Sequence, residues 1–311
     1  MPNRIIIDKK LPLQFYIDGL EESDQYLNKH MNDWRFSDTI LPWEERVDFN
    51  LPFNLADLIS LQLQSNVGPV NLELYTCHGD LVDTIGFGTL QQNENDPTMY
   101  LREVDVALAG YDPGVYYFKI KFGISPVILS LISENIILSE RNENTLLLEY
   151  SHEPFLGDMI FADGYEPQLR VEATLKYESP EAQNVLYEDD DNNAELLDSV
   201  PYDIWKLYIG GSLGIPDYLA RKINRILGCS TLKIDGKYYT RLEGGKLERT
   251  SEKDYPMSGW AIELREVNNR SSAIYENEEG QDGFVAVMVN SDGKGFGSSN
   301  AGDETVVIDV T

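Results

Sequence analysis

Cysteine, histidine and positive charge are all scarce in this chain. Cys77 and Cys229 are the two cysteines among 311 residues. Lying far apart, they assemble neither a disulfide framework nor a tetrahedral zinc site, and both are expected as small buried hydrophobes. Three histidines, His30, His78 and His152, leave a serine triad or a histidine metal centre short of partners, and His78 reads as a turn residue. The sequence contains no nucleophile elbow, metallopeptidase motif or strand-to-helix dinucleotide fingerprint, so no enzyme, metal or cofactor is expected. Glycoside hydrolysis by paired carboxylates stays open as an alternative, because 53 acidic residues always supply candidate pairs. Basic residues number 25, giving a net charge of −28, a field that repels phosphate backbones and argues against nucleic acid as a direct ligand. No apolar run approaches the ~18 residues of a membrane span, and Ile5-Ile6-Ile7 is shorter than the ~7–15 residues of a signal-peptide core. Neither membrane insertion nor secretion is expected.

What the chain does have is alternation. It is 42% hydrophobic and 11% aromatic, and its length suits two domains. Ile59, Leu61 and Leu63 alternate with Ser60, Gln62 and Gln64, and Val70, Leu72 and Leu74 with Asn71 and Glu73, the pattern of half-buried strands. Ser65-Asn66-Val67-Gly68-Pro69 and Cys77-His78-Gly79-Asp80 are turn chemistry, which predicts an antiparallel meander. Val104, Val106 and Leu108 continue the pattern, and Asp112-Pro113-Gly114 turns into a strand over 115–122. Tyr111 is either a corner tyrosine bonded back to backbone or a packed rim aromatic. Short strands at close spacing predict a mainly β chain: an N-terminal antiparallel β-sandwich, immunoglobulin-like or jelly-roll, over 51–150. Residues 1–50 read as an arm or covering segment. Within it Trp34 and Trp43 are candidate anchors for a neighbouring subunit, since tryptophan buries a large rigid area at low entropic cost, or else tuck against their own sandwich.

A second β-rich domain carrying one helix is expected over 151–267. Leu169, Val171, Ala173, Leu175 and Tyr177 alternate in a strand ending at Ser179-Pro180, and a polar linker follows. In it Asp189, Asp191, Asn193 and Glu195 reproduce the spaced oxygen ligands that open a calcium loop. The match fails where glycine and a bidentate glutamate are needed, at Ala194 and Val200, so these four are weak metal candidates. The helix is placed at 216–227, with Pro216 and Asp217 at its start, Gly228 as its stop, and Leu219, Ile223, Ile226 and Leu227 as its apolar stripe. Asp235-Gly236 is a strong hairpin signal between 231–234 and 238–241. Residues 268–311 form a polar extension with two short strands, 284–289 and 305–310, read as a hairpin or as a pair exchanged with a neighbour.

Charge is uneven along the chain. Residues 217–266 carry 10 basic and 8 acidic side chains, the one net-positive stretch. Arg221, Lys222 and Arg225 are read as an exposed flank of the helix and as candidates to meet an acidic surface of the next subunit, a heterologous contact that can close into a ring.

Several segments carry a resemblance: 34–43 (Trp-Arg-Phe-Ser-Asp-Thr-Ile-Leu-Pro-Trp), Pro201-Tyr202-Asp203-Ile204-Trp205-Lys206-Leu207, Gly214-Ile215-Pro216-Asp217-Tyr218 with Lys222-Ile223-Asn224-Arg225-Ile226, and the block from Ile234-Asp235-Gly236 to Glu263-Leu264-Arg265-Glu266. Together, over roughly 34–271, they resemble two-domain structural proteins of tailed phages infecting Bacteroidota. The resemblance implies a virion component of the tail tip, baseplate or neck, made in the host cytoplasm. It would work as a homo-oligomeric ring among other tail or neck proteins, and no catalytic residues carry over. A receptor- or glycan-binding module, using tyrosines of the sandwich among the 18 in the chain, is the alternative from a different class.

Overall fold

In a computed structural model of the chain, the alternating segments become two β lobes. The structure describes residues 5–17, then 49–267 apart from 68–69, 93–96, 125–126, 153–154, 157–158, 162–163, 189–193, 212–213 and 251–256, and finally 286–289 and 295–298. The first lobe contains β1 (Ile5–Ile6), β2 (Phe15–Ile17), β3 (Leu51–Asn54), β4 (Leu58–Ser65), β5 (Val70–Thr76), β6 (Leu81–Gly86), β7 (Thr89–Gln92), β8 (Tyr100–Ala107), β9 (Gly114–Ile124), β10 (Val127–Ser133) and β11 (Ile136–Ser139). One sheet runs β1-β4-β8-β7. The other runs β2-β10-β9-β11-β3, with β5 against β9 and β6 beyond it. Ile59, Leu61 and Leu63 from one sheet and Leu72, Leu74, Phe118, Ile120 and Phe122 from the other are buried in one core, as the period of two requires.

The meander is corrected by this topology. β5 does form a hairpin with β6, but β4 pairs with β8 and β5 with β9. The turns after β4 and after β8 therefore carry the chain from one sheet to the other, where local alternation alone suggested hairpins. Within the segment 1–50 read as a covering arm, residues 5–17 belong to the sandwich itself, since β1 pairs with β4, β2 pairs with β10, and Leu11, Leu13 and Phe15 sit in the core. Trp34, Trp43 and His30 lie outside the described residues.

The second lobe contains β12 (Thr145–Ser151), β13 (Phe155–Leu156), β14 (Met159–Ile160), β15 (Gln168–Glu188), β16 (Ala194–Ile209), β17 (Ile215–Pro216), helix α1 (Asp217–Ile226), β18 (Thr231–Ile234), β19 (Lys237–Arg241), β20 (Glu248–Arg249), β21 (Met257–Ser258) and β22 (Trp260–Glu266). Pairing runs β16-β15-β12-β18-β19-β22 and returns through β16–β22, so six antiparallel strands close on themselves as a barrel. Leu148, Tyr150, Leu169, Val171, Leu207, Ile234 and Leu264 point into its core, and Leu219, Ile223 and Ile226 of α1 join them. The hairpin at Asp235-Gly236 forms as expected, both residues at positive φ (48° and 81°). β12 belongs to this barrel, so the lobe begins before residue 151.

The lobes are welded together. Arg170 clamps Asp57 with two hydrogen bonds, Nε at 2.6 Å and an η-nitrogen at 2.7 Å. The polar alternates of β4 are buried as well, because its second face meets the barrel lobe. There Gln62 exchanges both amide hydrogen bonds with the Ile160 backbone, and the Tyr165 hydroxyl donates to the Ser60 carbonyl. Met1–Val267 forms one compact unit, and Asn268–Thr311 a second. In the second unit β23 (Ala286–Val289) pairs with β24 (Gly295–Ser298). The strand expected over 305–310 lies outside the described residues.

Candidate functional site

Helix α1 is the place to start. Pro216 caps it with an extended backbone, Asp217 occupies its first turn and Arg225 its last, in the sense the helix dipole favours. Its apolar stripe faces the barrel, which leaves Arg221 and Arg225 exposed. Lys222 is different and corrects the exposed-flank reading: it is 1% exposed. One turn from Tyr218 and Ile226, it shares the inward face, and its ammonium donates to the Pro12 carbonyl (2.7 Å) and to Glu134 (3.2 Å). Tyr218 also donates to Glu134, whose carboxylate accepts the Gln14 backbone N–H. Burial pushes the Lys222 ammonium below its ordinary value, and Glu134 opposes that shift. Lys222 is therefore a joint between the lobes and no longer a surface candidate.

Arg221 and Arg225 line a cleft of about 510 Å³ with Asp217, Ala220, Asn224, Arg241, Lys246, Leu247 and Trp260. Arg241, at the end of β19, is held by donating to the Gly245 carbonyl (2.7 Å) and to Asn224 (3.2 Å), which ties the turn after β19 to the helix. The single lining carboxylate, Asp217, is paired with Arg249 at 2.7 Å, and the Arg249 guanidinium lies over the Trp260 ring at 5.1 Å. Four cations with an apolar floor and one neutralised acid make an anion-accepting surface on an otherwise acidic molecule.

The second feature is the hairpin of β15 and β16, which the sequence presented as a strand followed by a linker. Strand β15 continues past Pro180 to Glu188, with a bulge between Tyr177 and Ser179, and the two strands pair to their tip. Pairing of β16 with the barrel strand β22 ends at Ile204. Beyond that point the hairpin is a two-stranded ribbon roughly 30 Å long at ~3.3 Å per residue. Val185, Leu186, Tyr187, Leu196, Leu197 and Val200 on it are 45% to 61% exposed. Between Glu178 and Asp203 nine residues are acidic and none is basic. The base is braced by Trp205, which meets Tyr177 and Tyr239 edge-on at 5.7 and 6.3 Å and donates to Glu266 at 2.8 Å. Arg265 adds to the brace, lying 4.1 Å from the Tyr202 ring centroid.

The remaining expectations divide. Of the weak metal candidates, Asp189, Asp191 and Asn193 lie outside the described residues and Glu195 pairs with Tyr187 in the return strand β16. Among the described residues no group of three histidine, cysteine or acidic side chains could hold a metal ion. His78 sits exposed in its turn, and the His152 Nδ1 accepts the Ser230 backbone N–H at 3.0 Å. Cys77 is exposed, contrary to the buried expectation, because it falls in the turn after β5. Cys229 is half-buried, and burial pushes its thiol up to about 11. Tyr111 donates to the Asp83 carboxylate at 2.8 Å, with burial and that charge pushing its hydroxyl up to about 12. The corner-type bond to backbone is made instead by Tyr116, which donates to the Asp112 carbonyl.

No protein-family model matches the chain, and no match emerges from curated proteins or from solved structures.

Proposed function

We propose that this protein is a structural subunit of a tailed-phage virion, a ring-forming component of the tail tip, baseplate or neck that acts through subunit contacts. The observation that supports the reading is the ribbon of β15 and β16. A two-stranded ribbon with solvent on both faces is marginal alone, and large apolar residues concentrated on it suit a surface that another chain covers. The position in the virion comes from the resemblance carried by 34–271. Negative-stain electron microscopy of the purified full chain tests the ring: uniform rings of one rotational symmetry are expected, and dispersed single particles at every concentration contradict it.

A glycan-binding reading draws on one feature of the sandwich. Tyr75 and Tyr117 stack with centroids 5.4 Å apart and planes 8° from parallel, beside Lys121 paired to Glu73 at 2.7 Å. Such a platform suits a sugar ring, and binding of the full chain on a glycan array that is lost in Tyr117→Ala would favour adhesion over assembly.

A further inference from the structure

We propose that the acidic ribbon of one copy docks head-to-tail in the cleft formed by Arg221, Arg225, Arg241 and Lys246 of the next copy. The proposal rests on the ring-forming reading and names the two surfaces that make the ring. Complementarity is its first support. The described strands of the ribbon carry six acids and no base, while the cleft presents four cations and an acid already paired to Arg249. Such pairing steers encounter and fixes orientation.

Both surfaces are open in the same chain. Val185, Leu186, Leu196 and Leu197 are at least half exposed, and Arg221 and Arg225 are exposed with no ion pair among the described residues. The ribbon therefore does not fill its own cleft. Apolar residues at both surfaces add the desolvation that charge alone lacks, with Leu247 and Trp260 in the cleft and the exposed aliphatic residues on the ribbon.

Position supplies the direction of assembly. Strands β16 and β22 pair from Ile209–Trp260 to Ile204–Arg265. Trp260 lines the cleft at one end of that ladder, and the ribbon leaves from the other. The contact joins two different surfaces of the barrel lobe, so head-to-tail repetition closes a ring or extends a filament. Trp205 and Arg265 pack at the ribbon base and brace its exit from the barrel.

The test uses full-length variants and light scattering after size exclusion. The cleft variant R221E/R225E and the ribbon variant E178K/E181K alter exposed side chains only, and unchanged circular dichroism checks their folds. Each alone is expected to weaken self-association on the order of 100-fold. Mixed, they are expected to reassemble, because the intact ribbon of one meets the intact cleft of the other and the reversed cleft meets the reversed ribbon. Combining all four reversals in one chain is expected to restore the oligomer. Oligomers that persist in both variants overturn the docking while leaving the ring reading standing. Loss in the cleft variant alone assigns the cleft to another acidic surface and also overturns it. A wild-type chain that is monomeric throughout removes the ring reading itself.

Discussion

Lys222 sits between a carbonyl from the N-terminal segment and a carboxylate from the turn after β10, buried on all sides. Removing one partner of such a pair strands the other charge, so Lys222→Ala is expected to cost about 3–5 kcal/mol. One position earlier, the exposed Arg221→Ala is expected to stay within about 0.5 kcal/mol, and urea denaturation of the two variants reads the contrast directly. The thiols provide a second residue-scale check. Cys229, raised from 9 to about 11, holds about 100-fold less thiolate at pH 8 than an unshifted thiol. Cys77 is therefore expected to label rapidly with a disulfide reagent, and Cys229 only on unfolding. Sequence reasoning placed Lys222 and Cys77 differently. A lysine at helical spacing from an apolar stripe looks solvated until Glu134, 88 positions away, supplies a buried counter-charge that no local window contains. Cys77 looked buried because cysteine usually is.

At the scale of elements, local chemistry was decisive where the signal was local. Helix α1 has the expected bounds within a residue, and Asp235-Gly236 turns as its dihedral preferences dictate. The connections after β4 and β8 were misread because a sheet-to-sheet crossing and a hairpin use the same turn residues, and only pairing partners distinguish them. The ribbon was missed because Pro180, Pro201 and the acidic run read as a linker. On a two-stranded ribbon half of the N–H groups face solvent, and a proline there breaks no ladder bond. The symmetry of apolar residues about the acidic run, Val185-Leu186-Tyr187 before it and Leu196-Leu197 after it, was the signal available. The crossing from β16 to α1 also depends on glycine. Gly214 has φ of +83°, and a Cβ on it would stand 2.6 Å from the Ser258 nitrogen. Gly214→Ala is expected to lose about 2 kcal/mol or more, read as a lower melting temperature without loss of the β signature in circular dichroism.

For the whole molecule, the Arg170–Asp57 clamp, the Lys222 joint and the doubly buried β4 make the two lobes one cooperative body. Calorimetry is expected to show a single unfolding transition for the body formed by Met1–Val267, and two separated transitions would contradict the weld. Two β lobes were readable from periodicity, but their fusion was not, because it rests on pairs such as Asp57 and Arg170 that are 113 positions apart. The proposed association pairs the cationic cleft with the acidic ribbon, an attraction that salt screens within a Debye length of about 10 Å at 0.1 M. The most direct measurement is the solution mass of the full chain by light scattering at low and at high salt. A closed oligomer of defined size that falls toward the 35.3 kDa monomer as salt rises is expected. A 35.3 kDa species at every salt and protein concentration would contradict it.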